Sequence, residues 1–421
     1  MKTDRLGLFA ITAILLMIGA TPAAAGSGGS SYSILGLGDI RYFPGSRSVG
    51  MGYTGIALPS PQYINWISPA TWSRINYTRF EAAALYEGFR STDGNKSRYL
   101  ARLDFNGALL AIPVSTDNGI VFVAGMTPFS SVNYDTYTSG SYISSADTLT
   151  YSLHHVGSGS LDRGMVGLSW SPFTSFSIGT SLNYLFGSVD HAVTQSVTAG
   201  GSGNGTITDE MSLHGLNFTF GALYSGLGHI GGPLNTLSVG ITLSTRASLF
   251  SSRFTHYVFA YEADSSQEIS GRVALPFSYG IGLGYQIGER WAIAVDMTGQ
   301  PWSRADFNGG PPSDIRNSSR FGIGVERAGN KDVNASWLDR ITYRAGYAYE
   351  ATYYKLNGEP INEWSVTAGV AFPLPRESRL NVSAEYGTRG STANGLIQDK
   401  IFRMTFSLNI VDIWFVRYED E

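Results

Sequence analysis

From residue 79 onward the chain alternates apolar and polar positions with a period of two. In the last such stretch Phe402, Met404, Phe406, Leu408 and Ile410 take turns with Arg403, Thr405, Ser407 and Asn409. Leu380, Val382, Ala384 and Tyr386 alternate in the same way with Asn381, Ser383 and Glu385. So do Trp364, Val366, Ala368, Val370 and Phe372 with Ser365, Thr367, Gly369 and Ala371, and the pattern recurs at 277–287, 237–243 and 176–186. Successive side chains of a strand point to opposite faces. Each stretch therefore predicts a strand with one apolar face and one face of Gly, Ser, Asn and Thr with scattered charge.

The connections separate a membrane barrel from a soluble sandwich. Tight turns expected at 113–118, 172–175, 226–235, 288–290, 329–339 and 373–377 alternate with longer polar connections at 91–96, 138–160, 194–207, 256–268, 305–317, 355–362 and 392–396. Short turns at one end and long loops at the other are the rhythm of outer-membrane barrels, with the short turns periplasmic. The count is about fourteen strands, an even number. Strands of roughly 11–20 residues exceed the usual soluble length and suffice to cross hydrocarbon at a tilt. Trp170, Phe173 and Phe176 flank one turn, and Trp291, Phe372, Trp414 and Phe415 lie near others, as an interfacial aromatic girdle requires. The expected fold class is all-β: a transmembrane antiparallel β-barrel.

Composition agrees. Charged residues are 15% of the chain, against about a quarter in a usual soluble domain. Gly (51), Tyr (24) and Phe (22) are abundant, and cysteine is absent. Absence of cysteine excludes thiol catalysis, iron–sulfur clusters and Cys-ligated zinc. The net charge of −4 supplies no basic face for nucleic acid. Lys2 and Arg5, the apolar residues 6–18 and the triplet Ala23, Ala24 and Ala25 read as an export signal, since about thirteen apolar residues are too few to span a bilayer. The expected organisation is a signal peptide at 1–25, an N-terminal hatch at 26–77, a barrel at 78–415 and a periplasmic tail at 416–421.

The hatch is read from residues 47–70, which have neither helical nor strand period. Gly50, Gly52 and Gly55 fall within six residues, and Pro59, Pro61 and Pro69 follow. Gly50 to Gly55 matches GxGxxG, but a dinucleotide site needs a preceding strand and a following helix. Here the prolines stop any helix, so the glycines read as turn-formers in a confined space. The six histidines show no HxxxH or HExxH spacing, so no metal, cofactor or catalytic residue is assigned and the chain is not expected to be an enzyme. Lumen-facing charges of both signs (Glu81, Arg102, Asp104, Arg246, Asp296, Glu326, Arg344, Glu350, Glu385, Arg403) read as ion-pair networks that fill a lumen and hold a plug. The third strand, expected at 119–137, carries Gly125, Pro128 and Phe129 in mid-span. Proline donates no ladder hydrogen bond, so either a bulge or inward kink that opens a gap in the wall, or a harmless bulge near the rim, is expected there.

Arg47, Gly50, Gly52, Gly55 and Ala57, then Ser68, Pro69 and Ala70, then about fourteen strands: this series resembles the FadL-like family of outer-membrane transporters for long-chain fatty acids and hydrocarbons, TodX included. The family's Asn-Pro-Ala is Ser68-Pro69-Ala70 here. The resemblance implies a hatch inside the lumen, a lateral opening at the kinked third strand and passive uptake of a hydrophobic small molecule. Tyr142, Leu149, Tyr151 and Leu153 are the candidate ligand contacts, on a loop at 138–160. The Trp414–Phe415 end with its charged tail is similar to PorV-like relatives, which implies a secretion role as the alternative. A porin-like structural barrel is a third reading. The implied partners are the outer-membrane bilayer of a Gram-negative bacterium, the barrel-assembly machinery for insertion, a hydrophobic ligand and, in the PorV-like case, secretion proteins.

Overall fold

The computed structural model describes residues 28–41, 45–143, 148–197, 204–227, 235–259, 262–307, 314–332 and 334–412. The expected signal peptide, the tail, Trp414 and Phe415 lie outside them. Fourteen antiparallel strands form a closed wall. They are β1 (Thr78–Thr92), β2 (Ser97–Ser115), β3 (Ile120–Ser131, resumed at Tyr134–Ile143), β4 (Thr148–Phe173), β5 (Phe176–Val197) and β6 (Gly205–Tyr224). Next come β7 (Leu237–Ser244, resumed at Ala247–Phe259), β8 (Glu262–Ser265, Ile269–Leu275 and Ser278–Ile287) and β9 (Trp291–Gln300, then Asp306–Phe307). The last are β10 (Ser318–Arg327), β11 (Thr342–Leu356), β12 (Glu359–Pro373), β13 (Arg379–Gly390) and β14 (Gln398–Asp412). β14 closes on β1 from Thr78↔Asp412 to Thr92↔Gln398.

The burial pattern is inside-out. On β14 Arg403, Thr405, Ser407 and Asn409 are buried while Phe402 and Ile410 are exposed. On β13 Asn381, Ser383 and Glu385 are buried and Tyr386 is exposed. The apolar face therefore points outward, as a lipid-facing wall demands. No helix of the described residues is long and apolar enough to cross a membrane.

Three of the connections expected to be long loops are strand instead. Residues 138–160, 194–207 and 256–268 are largely hairpin, with β4 paired to β5 as far as Tyr151↔Val197 and β7 paired to β8 as far as Phe259↔Glu262. Residues 355–362 close through a two-residue turn at Asn357 and Gly358, both at positive φ. Beyond the hydrocarbon both faces are wet, so the apolar alternation ends while the backbone ladder continues. The third strand also differs from 119–137: it runs to Ile143 with a break after Ser131.

The N-terminal residues lie among the inward-facing side chains. A short 3₁₀ turn, Ser31–Ile34, is capped by Ser30, whose Oγ accepts from the Tyr32 amide at 3.2 Å. It packs with Leu37, Trp302, Tyr353 and Tyr354 in an apolar cluster at the hairpin end of the lumen. The helix Ser46–Gly50 sits against β11 to β14. The 3₁₀ segment Pro69–Arg74, with proline at its first position, sits against β4, β5 and β6. Trp66, Trp72 and Ile75 cluster there with Leu109, Val121 and Val123 of the wall.

Candidate functional site

Two glycines of the expected hatch, Gly50 and Gly52, approach the backbone of the wall closely. Gly52 has φ +66°, and its amide donates to Thr367 Oγ1 at 3.0 Å. A Cβ there would stand 2.5 Å from the carbonyl oxygens of Ile323 and Tyr347, so glycine is needed for both conformation and space. Gly50 lies against Gly369 and Ser383. The amides of Gly55 and Ile56 donate to Asp296 Oδ2 at 2.6 and 2.8 Å. Ser46 Oγ and Ser383 Oγ are 2.9 Å apart. Pro69 and Ala70 press on Gly179 and Gly221 of β5 and β6. Ser68 is fully buried, and its amide donates to Asn65 Oδ1 at 3.2 Å.

Arg47 forms a forked pair with Glu326, Nε to Oε2 at 3.0 Å and Nη2 to Oε1 at 2.8 Å. Arg344 reaches the same carboxylate at 2.7 Å, and both guanidiniums lie 5.0 Å from the Tyr63 ring. Two cations thus share one acid and one aromatic face, which binds residues 47 and 63 to β10 and β11.

A larger network holds Asp39, Arg41 and Tyr53. Glu87, fully buried on β1, accepts from Arg41 Nη1 and Nη2 at 2.8 and 2.6 Å, from Arg102 Nε and Nη2 at 3.2 and 2.9 Å, and from Arg403 Nε at 2.7 Å. Arg403 also reaches Glu363 at 2.9 Å and Glu385 at 3.1 Å. Arg389 joins Glu363 to Asp39 at 2.7 and 2.6 Å, and Tyr354 Oη donates to Asp39 at 2.7 Å. Tyr53 Oη donates to Glu385. Four carboxylates (Asp39, Glu87, Glu363, Glu385) face four guanidiniums (Arg41, Arg102, Arg389, Arg403). The sequence reading named Arg102, Glu385 and Arg403 but missed Glu87, Glu363 and Arg389. The first lies on the same strand face as Glu81, so its period was legible. Arg41 and Asp39 lie in irregular chain that has no period to read.

At the third strand the ladder to β2 runs only from Ala108↔Met126 to Ser115↔Ile120. Gly125 is still paired, opposite Leu109. Pro128 pairs with Asp162 of β4, and the register then slips, leaving Phe129 as the bulged residue, turned toward the hairpin-end cluster. Beyond Met126 the inner edge of β3 is taken by the N-terminal chain. Asp39 and Ile40 pair with Ser131 and Ser130, the Arg41 amide donates to Phe129 O at 2.8 Å, and the Gly29 amide to Asn133 O at 2.9 Å. Residues 97–107 of β2 have no strand partner on that side among the described residues. A cavity of about 350 Å³ lies between, lined among others by Arg102, Asp104, Phe105, Met126, Pro128 and Asp162.

The four candidate ligand contacts are not on a loop. Tyr142 and Leu149 are opposite one another in the β3–β4 hairpin, their side chains outside the described residues, while Tyr151 and Leu153 pair with Val197 and Gln195 of β5. The hairpin spreads them along its length instead of gathering them over the barrel mouth. Among the described residues no group of three or more His, Cys, Asp or Glu could hold a metal.

A closed, outward-apolar barrel with its N-terminal chain among the lumen side chains is an outer-membrane β-barrel of the FadL-like fold. The BamG family model matches residues 8–419, and the chain belongs to the BamG family. Solved structures share the fold. The Pseudomonas putida toluene transporter TodX matches at 15% identity and TM-score 0.55, over 90% of this chain and 100% of that one. The Ralstonia pickettii toluene transporter TbuX matches at 14% and 0.55, over 87% and 98%. A Pseudomonas aeruginosa FadL homologue matches at 13% and 0.55, over 88% and 98%. No curated protein matches the chain.

Proposed function

We propose that this protein is a closed outer-membrane barrel of a Gram-negative bacterium that works through protein partners, in association with the barrel-assembly machinery. The observation that carries the reading is the Glu87 network, which fixes the N-terminal segment in the lumen at Asp39, Arg41 and Tyr53. Removing one partner of a buried ion pair costs about 3–5 kcal/mol. Withdrawing this segment breaks the Arg41–Glu87, Arg47–Glu326 and Asp39–Arg389 pairs together. A lumen opened by thermal motion alone is then rarely populated, so Arg47, Gly50, Gly52, Gly55, Ser68, Pro69 and Ala70 serve as anchors of a fixed plug more than as a gate. Membership of the BamG family supports the choice of partner.

A second reading is favoured by the cavity at Pro128. A hydrophobic small molecule, such as a fatty acid or an aromatic hydrocarbon, enters from the hairpin end and leaves sideways between β2 and β3. TodX, TbuX and CymD are described as transporters or channels for toluene or monoaromatic hydrocarbons. The polar lining of the cavity, Arg102, Asp104 and Asp162 among it, favours the first reading.

The test purifies the intact protein from outer membranes under mild detergent and records planar-bilayer conductance in parallel. Barrel-assembly components at near-equal amounts, with a silent bilayer, are expected. Recovery without those components, together with uptake of a labelled fatty acid into vesicles, overturns the first reading in favour of the second. Recovery of secretion-system proteins instead supports the PorV-like alternative.

A further inference from the structure

β2 is half an edge strand. Over residues 97–107 it has a ladder to β1 alone. In hydrocarbon, backbone N–H and C=O groups find no water, so a strand edge at that depth needs a partner. The neighbouring edge of β3 has one at residues 129–133, where Gly29 and residues 39–41 cover it from inside. The edge of β2 does not. Only side chains cross to β3: Arg98 Nη2 reaches Asp135 Oδ2 at 2.7 Å near the rim, and Arg102 Nη1 donates to Ser131 Oγ at 2.9 Å inside.

The chemistry of the opening names its occupant. Toward lipid, β2 presents Tyr99, Leu103 and Phe105, which are 53%, 45% and 57% exposed. Toward the cavity it presents Arg102 and Asp104, with Asp162 and Ser131 across the gap. Between these two faces, over residues 97–105, the peptide groups on this side have no ladder partner among the described residues, and alternate residues aim across the gap. An acyl chain matches the outer face but bonds to no peptide group. An extended segment with apolar side chains on one face and polar ones on the other matches all three.

We infer that residues 97–105 of β2 form a strand-accepting edge that takes a transmembrane β-strand from another outer-membrane barrel protein, added antiparallel in the place β3 vacates. The inference rests on the partner-barrel reading above and names the surface through which it acts. Two features suit an exchangeable site. No ladder hydrogen bond spans the gap, so entry breaks only the Arg98–Asp135 and Arg102–Ser131 side-chain contacts. The edge of β3 at 129–133 is covered by the protein's own chain, so over that depth an incoming strand has one edge to pair with and does not complete a larger closed wall.

The test uses the full chain in its native outer membrane. A photo-crosslinking residue is placed at Phe105 or Leu103, and a control at Ile281 of β8, which is equally exposed but paired on both sides. Adducts with outer-membrane barrel proteins at Phe105, at least tenfold above the Ile281 yield, are expected. The chain has no cysteine, so Arg98→Cys with Asp135→Cys can be bridged by a bifunctional maleimide, and bridging should abolish the adducts. Heat-modifiable migration on gels verifies that each variant is folded. Equal yields at Phe105 and Ile281, adducts with lipid or small molecules only, or yields indifferent to bridging overturn the inference. If the barrel-assembly components still co-purify in that case, the proposed function survives and the strand-accepting edge does not. If β2 adducts persist without those components, the edge stands and the choice of machinery falls.

Discussion

Glu87→Gln probes the anchoring of the lumen segment most directly. The wild-type carboxylate accepts five charge-assisted hydrogen bonds, two on Oε1 and three on Oε2. An amide keeps one oxygen and turns the other position into a donor facing guanidinium, so two or three of the five are lost whichever way it is oriented. Arg41, Arg102 and Arg403 remain, each at most about a tenth exposed, with one anion fewer among them. Breaking a buried ion pair in this manner costs about 3–5 kcal/mol, and 4 kcal/mol is roughly a thousandfold in an equilibrium constant. The barrel ladder is untouched, so the loss should fall on the seat of residues 28–75 and not on the wall. Trypsin should cut at Arg41 and Arg47 in the variant and spare them in wild type, while the heat-modifiable gel shift of the barrel persists. Urea titration followed by tryptophan fluorescence supplies the magnitude, with Asp93→Asn on the exposed β1–β2 turn as a control expected to leave the transition unmoved. A Glu87→Gln loss below about 1 kcal/mol with a wild-type cleavage pattern refutes the claim that this network holds the segment.

Three further variants test other parts of the seat. Asp296→Ala leaves the Gly55 and Ile56 amides unpartnered at a cost of about 1–3 kcal/mol each, read as faster hydrogen exchange at residues 55–58; unchanged exchange removes Asp296 from the anchoring set. Gly52→Val combines a positive φ with collision against β10 and β11, so protease resistance of residues 45–58 should be lost even though no charge changes. Asp339, in the turn between β10 and β11, is held well below the usual carboxylate range by hydrogen bonds from Arg290, Asn330 and Arg327. Its folded value is depressed, so its contribution is present above the unfolded value of about 3.9 and fades as pH falls through the folded one. Hydrogen exchange of residues 328–341 should be flat from pH 8 to pH 5 once corrected for intrinsic rates, whereas Asp339→Asn should loosen the turn throughout that range.

What could be read in advance follows from which force wrote it. β12 to β14 were legible because lipid on one side and packed lumen on the other impose a strict two-residue period. Past Val156 on β4 that contrast disappears, so sequence reading saw loop where the ladder continues. The break in β3 was signalled by Pro128, yet the bulge falls on Phe129, because the proline keeps its place opposite Asp162 and the slip is taken by the residue after it. Lumen acids such as Glu326 and Glu385 were visible by parity on their strands. Their partners Arg47 and Tyr53 belong to an irregular segment, where only the final contacts decide which side chain meets which wall residue.

The seat of the N-terminal segment has a consequence for the order of folding. Ser30 bonds to Asp399, Asp39 to Arg389 and Ser46 to Ser383, so the N-terminal end of the described chain is secured by the last strands to be made. Contacts this distant in sequence form late and slowly. Until β11 to β14 arrive, residues 46–53 lack most of their seat, and a chain ending before β11 should expose them to proteases. Closure of β14 on β1 and capture of the N-terminal segment then become one event. Whatever assists the last hairpin into the membrane also decides whether the barrel is born filled or empty.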